Sequence, residues 1–168
     1  MTASNRYTLS ILVNNEPGVL VRVASMFGRR GFNIDSITVG ASEEPGLARM
    51  VIVTHGDERT MEQIMKQLNK LIDVIKVQDL SDQATVSREL LLLKVNANPA
   101  TRAEITGILE PFRASVVDVG PTTIIVQATG DTQKIDALIQ LLKPYGIQEM
   151  CRTGVSAMAR GLSTLVRV

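Results

Sequence analysis

The order of apolar runs along the chain constrains its fold more than any other feature, because the same order occurs twice. In each half, short β-rich runs and runs with apolar residues three and four positions apart succeed one another as strand, helix, strand, strand, helix, strand. Between the halves, residues 81–87 (SDQATVS) are polar and are interpreted as a linker. This order is that of the ferredoxin-like α+β sandwich, so two such domains are expected in tandem, at residues 1–80 and 88–168.

The individual elements follow from the spacing of the apolar residues. Strands are predicted at residues 7–13, 33–40, 47–54, 74–80, 89–95, 115–120, 122–129 and 147–154. Each half carries two helices, and each helix has a single apolar stripe, as expected for helices that cover one face of a sheet. The residues predicted to face the sheets are Leu20, Val23, Ala24, Phe27, Met61, Ile64, Met65, Leu68, Leu71, Ile72, Ile105, Ile108, Leu109, Phe112, Ile135, Leu138, Ile139 and Leu142.

Composition excludes several classes of function. The net charge is +1, which argues against a dedicated nucleic-acid binder, whose affinity comes from clustered Lys and Arg. There is no Trp, with two Tyr and three Phe, which argues against stacking of bases. One cysteine allows no internal disulfide and fits a reducing compartment. No apolar run reaches the roughly 20 residues that span a bilayer, and no signal-peptide pattern begins the chain, so a cytoplasmic location is expected.

The motifs of common catalytic sites are absent from the sequence. It contains no GxGxxG, no Walker loop, no HExxH and no CxxC. His55 is the only histidine and is expected to have a structural or exposed role, since no nucleophile lies nearby in sequence. Cys151 is expected to be a small buried apolar residue. These observations argue against an enzyme that acts alone, and no catalytic, metal or cofactor site is predicted.

The loop NNEPG, residues 14–18, connects the first strand to the first helix and carries polar groups without a catalytic side chain. Pro17 fixes the backbone angle φ, and Gly18 allows a ligand to approach the backbone closely. The amides that begin the helix have no intrahelical partners and favour a negative charge. A carboxylate is therefore expected on the amides of Gly18, Val19 and Leu20.

The other groups of the loop favour a small apolar amino acid as the ligand. Asn15 offers both a donor and an acceptor, Val19 and Leu20 add apolar surface, and Glu16 is the only charged residue in the loop. A plain strand-to-helix turn capped by Asn is the alternative, and on this stretch alone it is the better supported interpretation.

Asn33 provides a second polar group at the other end of the same domain. It begins the second strand, after a helix of about 12 residues that is roughly 18 Å long. In the ferredoxin-like strand order 4-1-3-2 the second strand is an exposed edge, and edges tend to pair. If two copies join through this edge about a two-fold axis, Asn33 of one copy approaches the NNEPG loop of the other. A ligand bound there would bridge two subunits and report its concentration as a change in the geometry or rigidity of the dimer, which is what an allosteric site requires.

Four stretches of the sequence closely resemble the small regulatory subunits of acetolactate synthase (acetohydroxyacid synthase). They are LVNNEPGVLVRVASMFGRRGFNIDSITVG, EEPGLARMVIVTHGD, QIMKQLNKLIDVIKV and RTGVSAMARG. The resemblance covers nearly the whole chain and implies an ACT domain followed by a second ferredoxin-like domain. It also implies a homodimer that binds the catalytic large subunit, raises its activity and makes it sensitive to feedback by valine.

The resemblance also implies where the effector valine binds. The matching residues are Asn15, Glu16, Pro17, Gly18, Val19 and Leu20 of one copy, with Asn33 and Ile34 of the other. Leucine and isoleucine fit such a pocket as well. Thiamine diphosphate, FAD and magnesium would belong to the catalytic subunit and not to this chain. Members of the family often have Ser or Ala where this chain has Pro17, a difference that should stiffen the loop.

Two alternatives and one segment stay open at this point. A free-standing amino-acid sensor that acts on a transcription regulator is the first alternative, although no helix-turn-helix pattern or basic recognition helix is visible. A small ferredoxin-like enzyme is the second, and the missing catalytic set argues against it. The segment Arg152 to Gly161 has no assigned structure, and Arg152 and Arg160 are candidate contacts to a partner.

Overall fold

The computed structural model describes residues 5–161, which divide into two compact units. The first unit contains the described residues up to Val86 together with those from Val155 onward, and the second contains Ser87–Gly154. The elements of the first unit are β1 (Asn5–Asn14), α1 (Val19–Arg29), β2 (Ser36–Ala41), β3 (Leu47–Gly56), α2 (Glu58–Leu68) and β4 (Val74–Asp79). They form an antiparallel sheet in the order β2-β3-β1-β4, which is the predicted order and leaves β2 at an edge.

The second unit repeats this topology. Its elements are β5 (Thr85–Asn96), α3 (Arg102–Leu109), β6 (Ser115–Val119), β7 (Thr123–Gly130), α4 (Thr132–Leu142) and β8 (Ile147–Arg152). Short 3₁₀ helices at Glu110–Phe112 and Lys143–Tyr145 extend α3 and α4. The strand order is β6-β7-β5-β8. The predicted linker is therefore too long, because its last three residues already belong to β5, the longest strand described.

The core of the first unit lies between α1, α2 and one face of the sheet. Alternate residues of the strands point into it, including Leu9, Ile11, Met50 and Ile52, and all of these are nearly or fully buried. Phe27 of α1 is 1% exposed and packs edge-on against Phe32. Burial of a side chain of this size stabilises a fold by about 1.5–3 kcal/mol.

The predicted apolar stripes are correct for α3 and α4 but need correction in the first unit. α1 buries Val19, Val23, Met26 and Phe27, whereas Leu20 is 45% exposed and Ala24 is also exposed. The sequence Val19-Leu20-Val21 offers two overlapping apolar stripes, and the one that begins at Val19 faces the sheet. α2 ends at Leu68, so Ile72 lies beyond the helix and is 90% exposed.

Cys151 is exposed, and its predicted burial is wrong. The residue pairs with Leu92 across β8 and β5, and Leu92 lies on the face of the sheet opposite the helices. Neighbouring residues in a strand point to opposite faces, so Arg152 instead lies on the helix side.

Arg152 is held by two carboxylates of the second unit. Its Nη2 lies 2.5 Å from Oε1 of Glu89 and its Nε donates to Oε2 of the same residue at 3.2 Å. Its Nη1 lies 2.8 Å from Oδ1 of Asp136 on α4. The hydrogen bonds to Glu89 raise the pKa of Arg152 above its usual value. The sequence made Arg152 a candidate contact to a partner. In the structure its side chain instead links β8, on which it lies, to β5 and α4 of the same unit.

The segment left unassigned by the sequence contains a ninth strand, β9 (Ser156–Ala159). Val155 and Ala157 are buried against Val51, Val53 and Leu80. These three residues lie on the face of the first sheet that α1 and α2 leave open. Residues from Val155 onward therefore belong to the first unit, although the sequence placed them in the second domain.

Hydrogen bonds to backbone carbonyls hold this segment in place. The hydroxyl of Thr38 on β2 donates to the carbonyl of Val155 at 3.1 Å. The backbone N–H of Arg160 donates to the carbonyl of Ala84 at 2.8 Å, and its side-chain Nε donates to the carbonyl of Thr85 at 3.1 Å. Arg160 is thus also engaged within its own unit.

Substitution Ala157→Asp is expected to lower the free energy of unfolding of the first unit by about 2 kcal/mol, because it places an unpaired carboxylate against Val51 and Val53. The cost is limited to the free energy with which β9 docks, since the segment can detach locally. Urea unfolding followed by circular dichroism measures the change. Met158→Asp is the matched control, because Met158 is 64% exposed on the same strand and should change stability by less than about 0.5 kcal/mol. Equal effects of both variants would contradict the described packing of β9.

Candidate functional site

The NNEPG loop is mostly exposed, and backbone hydrogen bonds anchor its first two residues. The backbone N–H of Asn14 donates to the carbonyl of Asp73, and that of Asn15 donates to the carbonyl of Gly46, both at 2.9 Å. The residues from Asn15 to Gly18 are exposed, whereas Val19 is 3% exposed. Of the predicted site residues, Val19 can therefore offer a ligand only its backbone, while Leu20 presents an exposed apolar side chain.

Gly18 begins α1 in a left-handed conformation, with φ of 86° and ψ of −9°. No side chain caps the start of α1, and the first turn of the helix contains no acidic residue. The alternative interpretation, a plain turn capped by Asn, is therefore wrong, because Gly18 occupies the capping position. The first amides of α1 and the positive end of its dipole have no compensating protein charge in that turn.

Arg22 places a guanidinium group beside Gly18. Its Nη1 is 2.9 Å from the position that a Cβ would occupy at Gly18, so a side chain there would displace it. Its Nε lies 2.5 Å from Oδ2 of Asp73, whose side chain is 9% exposed. This hydrogen bond is the main cause of a raised pKa of Arg22, and the charge of Glu16 adds to it. The loop is therefore bordered by a fixed cation, suited to an anionic group.

The sequence reasoning did not identify Arg22 or Asp73. The two residues are 51 positions apart, so no local spacing indicates that they pair. Arg22 lies four residues after Gly18, one helical turn from the loop, and that position was the one available signal.

Asn33 belongs to a second hydrogen-bonded group. Its Nδ2 donates to Oδ1 of Asp35 at 2.7 Å, and its backbone carbonyl accepts from the hydroxyl of Thr54 at 2.6 Å. The other oxygen of Asp35, Oδ2, is hydrogen-bonded to Nδ1 of His55. His55 is about half exposed, as its expected structural or exposed role requires, while Ile34 packs on the core of the first unit.

Asn15 and Asn33 lie at opposite ends of the first unit, as predicted. Asn15 contacts Gly46, just before β3 begins, and Asn33 contacts Thr54 near the end of β3. The seven residue steps from Leu47 to Thr54 correspond to roughly 23 Å of strand. A single small ligand cannot reach both residues of one chain.

Two other clefts contain none of the predicted site residues. One of 590 Å³ lies in the second unit between α3 and β6, and one of 690 Å³ lies in the first unit beside Tyr7 and Met61. Within residues 5–161, no group of three or more His, Cys, Asp or Glu side chains is arranged to hold a metal ion. No helix in that range is long and apolar enough to cross a membrane.

Two family models and two sequence relatives carry the same description. Residues 9–76 match the family of AHAS small subunit-like ACT domains, and residues 88–161 match the family described as the small subunit of acetolactate synthase. A probable acetolactate synthase small subunit of Methanothermobacter thermautotrophicus is 55% identical over 160 residues, which are 95% of each chain. The acetolactate synthase small subunit of Bacillus subtilis is 54% identical over 154 residues, which are 91% of this chain and 90% of that protein.

A solved structure agrees with these sequence matches. The crystal structure of the acetolactate synthase small subunit from Thermotoga maritima is 43% identical in sequence and superimposes with a TM-score of 0.85. The match covers 95% of this chain and 99% of that chain. It confirms the predicted fold class, two ferredoxin-like sandwiches of which the first is an ACT domain.

Proposed function

The chain belongs to the family of acetolactate synthase small subunits, and we propose that it is a non-catalytic regulatory subunit that makes the catalytic subunit sensitive to valine. The match over 95% of the chain to proteins of this description carries the proposal. In this role the protein binds the large subunit and raises its activity. Thiamine diphosphate, FAD and magnesium are assigned to the large subunit, and the complex is assigned to the cytoplasm.

The proposed effector site lies between two copies of the first unit. β2 is the exposed edge of its sheet and is the proposed dimer contact. In an antiparallel pairing about a two-fold axis, the loop from Asn15 to Leu20 of one copy meets Asn33 and Ile34 of the other. Within one chain, Asn15 and Asn33 contact opposite ends of β3, which are roughly 23 Å of strand apart, and this supports the arrangement because a second copy must supply the other half of the site.

The loop half of the proposed site matches two parts of a free amino acid. The helix start at Gly18 and the nearby guanidinium of Arg22 suit a carboxylate. Leu20 offers exposed apolar surface to a small branched side chain. Valine bound across the two copies would change the geometry or rigidity of the dimer, and this change would be transmitted to the catalytic subunit.

Reconstitution with an acetolactate synthase catalytic subunit tests the proposal. The rate of pyruvate condensation is followed for the large subunit alone, with this protein, and with this protein and valine. We expect this protein to raise the rate and valine to lower it again. A rate that does not change when this protein is added would refute the proposed role. Valine binding without any effect on the catalytic subunit would favour the free-standing sensor.

Replacement of Asn15 or Asn33 by alanine is expected to weaken valine inhibition by about ten- to a hundred-fold, as the loss of a hydrogen bond to a charged ligand group should. Activation of the large subunit should stay within about twofold of the wild type, because both side chains are exposed and neither supports the core. Inhibition curves at increasing valine concentration measure the change. Asn69→Ala, at the exposed end of α2, is the matched control. Unchanged inhibition in both variants would refute the placement of the site.

A further inference from the structure

We infer that Asp35 positions the carboxamide of Asn33 so that its oxygen faces outward, which makes this half of the proposed effector site a receptor for an ammonium group. The inference rests on the proposed function and assigns a role to Asp35, which lies outside the predicted site. It explains why the site would select an amino acid rather than another small branched acid.

The orientation of the Asn33 side chain follows from the chemistry of its partner. A carboxylate can only accept hydrogen bonds, so the group of Asn33 that lies 2.7 Å from Oδ1 of Asp35 must be the NH₂ group. The amide oxygen is then on the other side of the side chain. Among residues 5–161, no hydrogen bond to that oxygen is found. Asn33 thus presents a free acceptor to solvent, and an ammonium group has three donors to offer it.

The surrounding contacts hold this arrangement in one geometry. The hydroxyl of Thr54, a fully buried residue, donates to the backbone carbonyl of Asn33 at 2.6 Å. Nδ1 of His55 is hydrogen-bonded to the second oxygen of Asp35, so that both carboxylate oxygens are engaged by the protein. The backbone N–H of Asp35 donates to the carbonyl of Val53 at 2.8 Å. Asp35 is therefore fixed to β3 by its main chain and by its side chain.

The two halves of the proposed site then offer a ligand different groups, donors in the loop half and acceptors in the Asn33 half. The loop half carries the positive end of the α1 dipole and the donor groups of the Arg22 guanidinium, which is paired with Asp73 and also lies near Glu16. The Asn33 half carries an amide oxygen and the carboxylate of Asp35. An amino acid placed between two copies would direct its carboxylate to the loop of one and its ammonium to Asn33 of the other. Reversed binding would place the carboxylate of the ligand beside the carboxylate of Asp35.

Substitution Asp35→Asn tests this role, because the new side chain can donate to the amide oxygen of Asn33 and allow that amide to turn by 180°. Its NH₂ group would then face the ligand. Calorimetric titration of the full chain compares valine with 2-hydroxy-3-methylbutanoate, in which a hydroxyl replaces the ammonium. We expect the affinity for valine to fall by at least about tenfold and that for the hydroxy acid to change by less than about threefold.

Two further variants separate this role from a general effect of charge or folding. Glu62→Gln removes one exposed carboxylate from α2 of the same unit and should leave both affinities unchanged. Asp35→Glu retains a carboxylate and should keep most of the preference for valine over the hydroxy acid.

The outcomes distinguish failure of the inference from failure of the proposed function. If the wild type binds valine and Asp35→Asn binds it equally well, the role of Asp35 is overturned while the proposed function stands. If Asp35→Asn loses affinity for both ligands equally, the role of Asp35 is also overturned, since Asp35 would then support only the shape of the site. If the wild type binds neither valine, leucine nor isoleucine, the proposed function fails and the inference fails with it.

Discussion

Replacement of Arg152 by alanine is expected to lower the free energy of unfolding of the second unit by about 3 kcal/mol, because it leaves the carboxylate of Glu89 unpaired. The side chain of Glu89 is 3% exposed, and both of its oxygens accept from Arg152. Arg152 itself is 28% exposed, so water can reach part of the space that it vacates. The cost is therefore placed at the lower end of the range for broken buried ion pairs.

The measurement can be restricted to the second unit. The chain has two tyrosines and no tryptophan, with Tyr7 in β1 and Tyr145 after α4. In a Tyr7→Phe background, the fluorescence of Tyr145 during urea unfolding reports on the second unit alone. Comparison of unfolding midpoints and slopes then gives the change in stability.

Lys94→Ala is the matched control for Arg152→Ala. Lys94 and Glu149 form an ion pair across the same two strands, but both side chains are exposed, so its loss should cost less than about 1 kcal/mol. The double variant Glu89→Gln with Arg152→Ala should recover part of the lost stability, because it removes the buried charge. Equal costs for Lys94→Ala and Arg152→Ala would contradict a structural role for the Arg152 group and return Arg152 to the candidate contacts of a partner.

The strand order and most of the core could be predicted from the sequence, because they depend on local periodicity. Apolar residues alternate with other residues in β1 and recur three and four positions apart in α3 and α4, and both patterns are visible within a short stretch of sequence. The repeat of one order in both halves adds a second, independent indication of the same topology. Where two stripes overlap, as at Val19 and Leu20, periodicity alone does not decide which one faces the sheet.

The position of β9 depends on contacts between distant parts of the chain. Met50-Val51-Ile52-Val53 is apolar without alternation, and all four residues are buried. Such a run indicates a strand covered on both faces, yet the helices of the repeat cover only one. This apolar run was the signal that a further segment must cover the first sheet. The sequence does not indicate which segment does so.

In the candidate site, too, some features follow from local sequence and others depend on contacts between distant parts of the chain. The exposed loop, the helix start at Gly18 and the distance between Asn15 and Asn33 follow from element order. The pairs Arg22–Asp73 and Asp35–His55 do not, because their members come from different elements and meet only when the sheet forms. These pairs determine the charge of each half of the site. The chemistry of the site is thus less predictable from sequence than its location.

Replacement of Gly18 by valine is expected to abolish valine inhibition at attainable effector concentrations, a loss of about a thousandfold or more in affinity. A β-branched residue at φ of 86° is strongly disfavoured, so the backbone that presents the first amides of α1 must change. The new side chain also meets Nη1 of Arg22, so the guanidinium, whose Nε contacts the buried carboxylate of Asp73, must shift. Both groups proposed to receive the effector carboxylate are lost together.

Activation of the catalytic subunit should largely survive this substitution, because the strain lies in an exposed loop and not in the core of the unit. Gly28→Val is the matched control: Gly28 is exposed in the same helix, its φ is ordinary, and a Cβ there meets nothing within 4 Å. Inhibition curves with the reconstituted enzyme should therefore be flat for Gly18→Val and close to wild type for Gly28→Val. Gly18→Ala, which adds a smaller group at the same φ, should fall between them. Inhibition of Gly18→Val at wild-type concentrations of valine would show that the effector binds elsewhere on the protein.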